Sequence, residues 1–185
     1  MIYMIRHALD DEAYVGSWSN VPILKEEEKR VREQARYIKD NLKVSGIITS
    51  DIRRAKDTAR IIGEELHLPI IEDPNLREQN KGTLTGKLRT SLTEEERFLL
   101  KNQQIDTIFP EGESLLQVYE RIKKYLEKIK QYQDHSLVVS HRGVINMIYY
   151  YLRDIPLDMD KKKFQVDHLS IHEVDIEKKL IRRIK

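Results

Sequence analysis

Two histidines, one near the start of the chain and one near its end, each follow a short apolar run. Ile2-Tyr3-Met4-Ile5 ends in Arg6-His7, and Ser136-Leu137-Val138-Val139-Ser140 ends in His141-Arg142-Gly143. Runs of this length read as buried strands, and open α/β sheets place their chemistry in the loops leaving the C-terminal ends of such strands. An unperturbed histidine titrates at about 6.5, so much of it is neutral near pH 7 and its free nitrogen can attack phosphorus. The arginine beside it can hold phosphoryl oxygens through a planar fork that keeps its charge. Two strands with the same ending predict neighbours in one parallel sheet, with His7 and His141 facing one pocket.

Several elements would have to position that pair. Residues Lys25 to Leu42 read as a helix, with Val31, Ala35, Ile38 and Leu42 on one face and Glu26–Arg30 and Lys29–Glu33 as supporting pairs on the other. Gly46 to Ser50 is a second short strand, and Ala55, Ala59, Ile62 and Leu66 mark the helix after it, with Ser50 or Asp51 as its cap. Arg54 then falls in the first turn of that helix. A cation there is locally unfavourable unless an anion binds beside it. Pro69 to Glu72 is a third strand. Thr93 to Asn102 forms a short helix behind a Thr93…Glu96 capping box, and a second box, Ser114 with Gln117, opens a long helix with Leu115, Val118, Ile122, Leu126 and Ile129 on one face. The helix from Gly143 to Arg153 is apolar nearly all round, which makes it central, and its N-terminus would aim backbone dipoles at a bound phosphate. From His168 to Ile184 the pattern alternates as two strands joined by Asp175 to Lys178. Lys178, Lys179, Arg182, Arg183 and Lys185 read as a solvated edge that discourages aggregation. His67, His135, His168 and His172 lack a comparable setting and read as surface or structural.

Composition narrows the function. The 185 residues suffice for one full core, and 39% hydrophobic with 35% charged residues describes a globular protein with a charged surface. Lys+Arg 33 against Asp+Glu 31 leaves a net charge of +2, too small for a global field favouring nucleic acid or a membrane. No apolar run approaches the roughly 18 residues of a membrane span, and Arg6, His7 and Asp10 interrupt the first apolar stretch too early for a signal peptide. A chain without cysteine has no disulfide, zinc–thiolate site or cysteine nucleophile, and a cytoplasmic setting is expected.

From Ile2 to about Arg153 these motifs resemble the histidine phosphatase (phosphoglycerate mutase-like) superfamily, which opens with a strand and Arg-His-Gly and carries a second histidine in a late Ser-His-Gly-Gly or similar motif. Ser50 to Ala59 is similar to that family's Ser-x-Leu-x-Arg-Ala-x-x-Thr-Ala run, in which the arginine, here Arg54, binds the phosphoryl group. Leu76, Glu78, Gly82 and Gly86 fit its Leu-x-Glu-x-x-x-Gly-x-x-x-Gly context, which carries the general acid. Gly16 to Pro22, with Trp18, resembles a segment lying near the pocket.

The resemblance implies an α/β fold: a three-layer α/β/α sandwich with a mostly parallel central sheet and a small inserted cap. It implies one domain over residues 1–185, with 79–112 as a loop and helix insertion over the active site. It further implies phosphomonoester hydrolysis through a phosphohistidine on a small phosphorylated metabolite. His7, Glu78 and His141 would be catalytic, and Arg6, Arg54 and His141 would bind phosphate. No metal or cofactor is required, because side chains supply the positive charge. The expected partner is the small-molecule substrate, with neither nucleic acid nor membrane involved. Phosphoglycerate mutase-type transfer and an inactive ligand-binding or regulatory member of the fold are the alternatives. The chain departs from the family at Ala8 and Arg142, where glycine is common. It departs again at Asp10, where many members carry threonine or serine, and at Ala13, where they carry asparagine.

Overall fold

The computed structural model describes residues 1–129, 135–160 and 163–185. At its centre lies β1 (Ile2–Arg6), buried along its whole length. Alternate residues of this strand face opposite ways. Ile2 and Met4 join one core cluster while Tyr3 and Ile5 join the other. Such two-sided burial requires a layer on each face of the sheet, and helices supply both. α1 (Glu27–Asn41) and α2 (Arg53–Leu66) send Val31, Ala35, Ile38, Ala55, Ala59 and Ile62 to one face. From α4 (Leu115–Ile129) and α5 (Arg142–Arg153), Val118, Ile122, Leu126, Val144 and Ile148 cover the other. Each such aliphatic side chain contributes roughly 1.5–3 kcal/mol on burial.

The six strands run in the order β3-β2-β4-β1-β5-β6. β2 (Gly46–Thr49), β3 (Ile70–Glu72) and β4 (Ser136–Ser140) are parallel to one another and to β1, while β5 (Ile171–Asp175) and β6 (Leu180–Arg183) complete the sheet antiparallel. This is the α/β sandwich with a mostly parallel sheet that the sequence predicts.

One register decides where chemistry can happen. β1 and β4 are parallel neighbours with Arg6 opposite Ser140. His7 and His141, each one residue further on, therefore leave the sheet side by side at the C-terminal edge. Their separation of more than a hundred residues in sequence is removed by a single strand pairing.

Residues 79–112 follow a path of short turns and α3 (Glu94–Lys101), which begins with the Thr93–Glu96 capping box. Leu84, Leu92 and Phe109 from this stretch close on Val15 as a small separate cluster. Ser114 and Gln117 exchange the two hydrogen bonds of the second box.

Two local expectations need correction. The residue capping α2 is Ile52, with no side-chain cap bond, because Ser50 turns instead toward His141. Arg30 pairs with Glu27, whose side chain is nearly buried, rather than with Glu26. The basic tail does lie at a solvated edge, that of β6, where Arg182 pairs with Glu173 and Arg183 with Asp167, both at 2.6 Å, and Lys178 pairs with Asp175 at 3.3 Å. Among the described residues no helix is long and apolar enough to cross a membrane.

Candidate active site

His7 is 4% exposed at the end of β1, and its Nδ1 lies 2.7 Å from its neighbour's carbonyl, Ala8 O. A carbonyl can only accept, so Nδ1 carries the proton and Nε2 carries the lone pair. Arg54 Nε donates to that Nε2 across 3.1 Å. Burial, then Arg54, His141 and Arg6, hold His7 well below the usual histidine range. The ring is therefore neutral at ordinary pH, as a nucleophile requires. Ala8 is fully buried, and its N–H donates to Thr58 Oγ1, which itself donates to Arg54 O. The loop after β1 is thereby tied to the first turn of α2.

His141 stands beside His7 with ring centroids 5.1 Å apart. Its Nε2 lies 2.9 Å from Ser50 Oγ, which also accepts the Ile52 N–H. A hydroxyl that accepts one N–H still has its own proton to give, and in the tautomer in which Ser50 donates to Nε2 the proton of His141 is on Nδ1. Nδ1 has no partner among the described residues. Burial and the two arginines keep this ring neutral as well.

The arginines reach the same place from opposite sides. Arg6 donates from NH1 to Val166 O at 2.9 Å and from NH2 to His168 Nε2 at 2.5 Å. Arg54 donates from NH2 to Ser17 O at 2.9 Å. Desolvation lowers both, Arg6 to about 10, which leaves each charged at neutral pH. Arg6 Nε and Arg54 NH1 are buried without partners among the described residues. Buried donors are rarely left unpaired. Three of them, on the ends of β1, β4 and α2, surround one imidazole.

Glu78 lies on the far side of the same pocket, at the N-terminus of α5. Its Oε2 accepts the Gly143 N–H at 3.2 Å and its Oε1 accepts the Gln79 N–H at 3.1 Å. A Cβ on residue 143 would stand 2.2 Å from Oε1, so only glycine permits this approach. One N–H of this helix N-terminus, that of Gly143, is thus already engaged by the Glu78 carboxyl group. Trp18, although exposed, donates its indole N–H to Glu78 O at 2.7 Å. Arg77 covers the Trp18 ring at 4.5 Å while gripping Asp51 through two bonds. Trp18 is therefore the support under the Glu78 backbone.

Two further residues face the nucleophile, one missed in the sequence and one marked there only as a departure from the family. His168, assigned above to the surface or a structural place, accepts from Arg6, and its ring centroid is 5.4 Å from that of His7. Burial, Arg6 and Arg142 push it down to about 3. Nothing local marks it, because it precedes β5 in an irregular segment. Asp10 is 9% exposed and sits 3.6 Å from Arg54 Nε. The remaining histidines do stay outside the pocket: His67 caps α2 with a left-handed backbone, His135 is exposed, and His172 is buried between Tyr149 and Ser170.

His7, Asp10 and His168 bring donor atoms within 4.8 Å of one another, a grouping able to hold a metal ion. Here, however, Nε2 of His7 and of His168 each already accepts from an arginine. A cation would have to displace two guanidinium groups and remain beside them. The set suits an anion better.

Beyond the phosphate-sized floor the pocket opens between Tyr14, Leu115, Met147 and Met159, with Lys81, Arg89 and Arg142 at its edge.

Residues 2–183 match the family model of the histidine phosphatase superfamily, branch 1. An Escherichia coli protein named "Probable phosphoglycerate mutase GpmB" is 30% identical over 187 residues, covering 97% of this chain and 86% of that one. Among solved structures, the alpha-ribazole phosphatase from Shigella flexneri superposes with a TM-score of 0.84 at 20% identity, over 99% of this chain and 94% of that one. The mycobacterial glucosyl-3-phosphoglycerate phosphatase gives 0.79 at 20% identity, over 98% and 95%.

Proposed function

The chain belongs to the histidine phosphatase superfamily, and we propose on that premise that it hydrolyses a small phosphomonoester through a phosphohistidine on His7. The reading rests above all on the three orphaned buried donors, Arg6 Nε, Arg54 NH1 and His141 Nδ1, gathered around a neutral imidazole.

Nε2 of His7 attacks phosphorus in line with the ester oxygen. Its lone pair forms the N–P bond as the P–O bond breaks, and Nδ1–H stays on Ala8 O. Arg6, Arg54 and His141 carry the three equatorial oxygens, whose charge grows in the transition state. Glu78 gives its proton to the departing alkoxide, which is otherwise a poor leaving group. It then takes a proton from water, whose oxygen cleaves the N–P bond, and the site is restored with inorganic phosphate released. Residues 79–112 act as the cap that selects the alcohol. No metal is needed, since fixed cations meet the charge.

Mutase-type transfer is the second reading, favoured by the relative named as a phosphoglycerate mutase. Only 34 residues separate Glu78 from Glu113, however, a short stretch in which to hold a second phosphate. That favours hydrolysis. An inactive member of the fold is disfavoured because every group the mechanism uses is present.

Mixing enzyme with a phosphorus-labelled substrate panel in magnesium-free buffer and quenching in alkali should trap label on the protein, lost again in acid. Absence of label in the wild type, or its persistence in His7→Ala, would refute the assignment. Transfer to a second substrate hydroxyl rather than to water would establish the mutase.

A further inference from the structure

Asp10 brings a carboxylate among the ring nitrogens that face the nucleophile. Its carboxylate lies 3.6 Å from Arg54 Nε and within 4.8 Å of ligand nitrogens on both His7 and His168. Arg54 does not need it. That guanidinium is already aimed by Ser17 O at 2.9 Å and by His7 Nε2 at 3.1 Å, whereas 3.6 Å is too long for a hydrogen bond. A counter-charge so placed stands beside the guanidinium and the imidazole that a phosphoryl group would meet.

We propose that Asp10 is a built-in competitor for the phosphoryl group, balancing Arg54 in the resting protein and taking up a proton when a phosphate dianion binds. The inference rests on the phosphomonoesterase reading and adds to it a pH-dependent selectivity at the phosphate floor.

The charged and titratable groups facing Asp10 come from each neighbouring element. Arg6 reaches it from β1 and Arg54 from α2, Glu12 lies on its own loop, and His7 and His168 stand neutral beside it. The two cations favour ionised Asp10, while burial and Glu12 oppose it, and the net displacement is upward. Adding a phosphate dianion places like charge against the same arginines. The proton taken from solvent converts carboxylate to carboxylic acid, so one positive charge enters with the dianion. As pH rises that proton becomes harder to obtain, and the wild-type site should bind phosphate progressively less well than a site without the carboxylate, the phosphate's own titration being common to both.

Inorganic phosphate is the probe, titrated calorimetrically into wild type and Asp10→Asn at pH 8 and pH 5.5, in buffers of different ionisation enthalpy. Asparagine keeps the shape and removes the charge. At an effective dielectric near 20 and a separation near 6 Å, the variant should bind about 5- to 150-fold more tightly at pH 8, with the gap closing at pH 5.5. Wild type should take up more protons per phosphate bound than the variant, a fraction of a proton whose size follows the affinity gap. Asp10→Ser, which restores a hydroxyl common in the family at this position, should move the same way and serves if asparagine impairs folding. Equal affinities and equal proton uptake would overturn the inference while leaving the phosphatase reading intact. Weaker binding in both variants would also overturn it, making Asp10 a positioning residue for Arg54. Phosphate binding by none of the three proteins would refute the phosphomonoesterase reading itself, and the inference with it.

Discussion

Arg54 and Arg142 occupy matching places in the fold. Each stands in the first turn of a helix that follows a strand of the same parallel sheet, and each lines the same pocket. Arg54 is 2% exposed and directed by Ser17 O and His7; Arg142 is exposed and makes no hydrogen bond or ion pair among the described residues. The α2 start is closed over by the 9–24 loop, while the α5 start is open and its Gly143 N–H is taken by Glu78. Identical chemistry thus works under unlike dielectric conditions. A fixed, desolvated guanidinium needs no reorganisation when charge develops, whereas a solvated one must shed water and lose side-chain freedom.

The sharpest way to break this comparison is at Arg54. Arg54→Ala should lower kcat by about 100- to 1000-fold, the usual cost of removing one preorganised donor from a transition state. Arg54→Lys keeps charge without the fork and should recover only part of that loss. Steady-state kinetics on the best substrate of the panel decides it. A loss confined to KM would mean the group binds ground and transition states alike.

A middle effect is expected at His168, which holds Arg6 much as Ser17 O holds Arg54. Removing it in His168→Ala should loosen one of the three equatorial clamps and lower kcat/KM by roughly 10-fold, equivalent to about 1.4 kcal/mol. His168→Asn, whose carbonyl can still accept from Arg6, should restore most of it. A second readout separates positioning from packing. Histidine here is held at about 3 when folded, against about 6.5 unfolded, so the unfolded chain binds the extra proton. Stability is then full above pH 6.5 and falls as pH drops below it. Asparagine should flatten that decline by at most about 2 kcal/mol at pH 5 in denaturant titrations, and by less where solvent screens the part-exposed ring. Unchanged acid sensitivity would show that His168 protonates freely and does not hold Arg6.

What the sequence disclosed follows the same division. β1, β4 and the α2 stripe were legible because each carries its own period, and the two histidine endings made the β1–β4 pairing readable without any tertiary knowledge. Arg54 and Glu78 were found through motif spacing, and the structure brings both to the pocket that holds His7. His168 was not found, because the segment between α5 and β5 has no period to anchor it and only the antiparallel return of β5 delivers it to Arg6. Ser50 was mistaken for a helix cap, since cap and site residues share the same chemistry and only His141 Nε2 distinguishes them. The Asp10 departure was visible as a residue type, but its choice of Arg54 over solvent depends on how the loop after β1 closes. Local pattern names the groups; long-range returns of the chain decide which ones meet.

The smallest effect should come from the open end of the comparison. Arg142 stands where glycine is common in the family, so it is the chain's own addition to the pocket edge. It is near enough to Arg6 and His168 to lower both, and therefore raises the positive potential over the phosphate floor. Its solvation screens that contribution, and a screened cation mainly attracts a dianion to the mouth without following charge into the transition state. Arg142→Ala should thus leave kcat within about 3-fold of wild type and raise KM a few-fold at low ionic strength. Above roughly 0.3 M salt, where the Debye length falls to around 5–6 Å, the two KM values should converge. If kcat instead fell as far as in Arg54→Ala and salt made no difference, Arg142 would have to fold inward over the bound phosphate. The two helix starts would then be a matched pair of clamps rather than one clamp and one attractor.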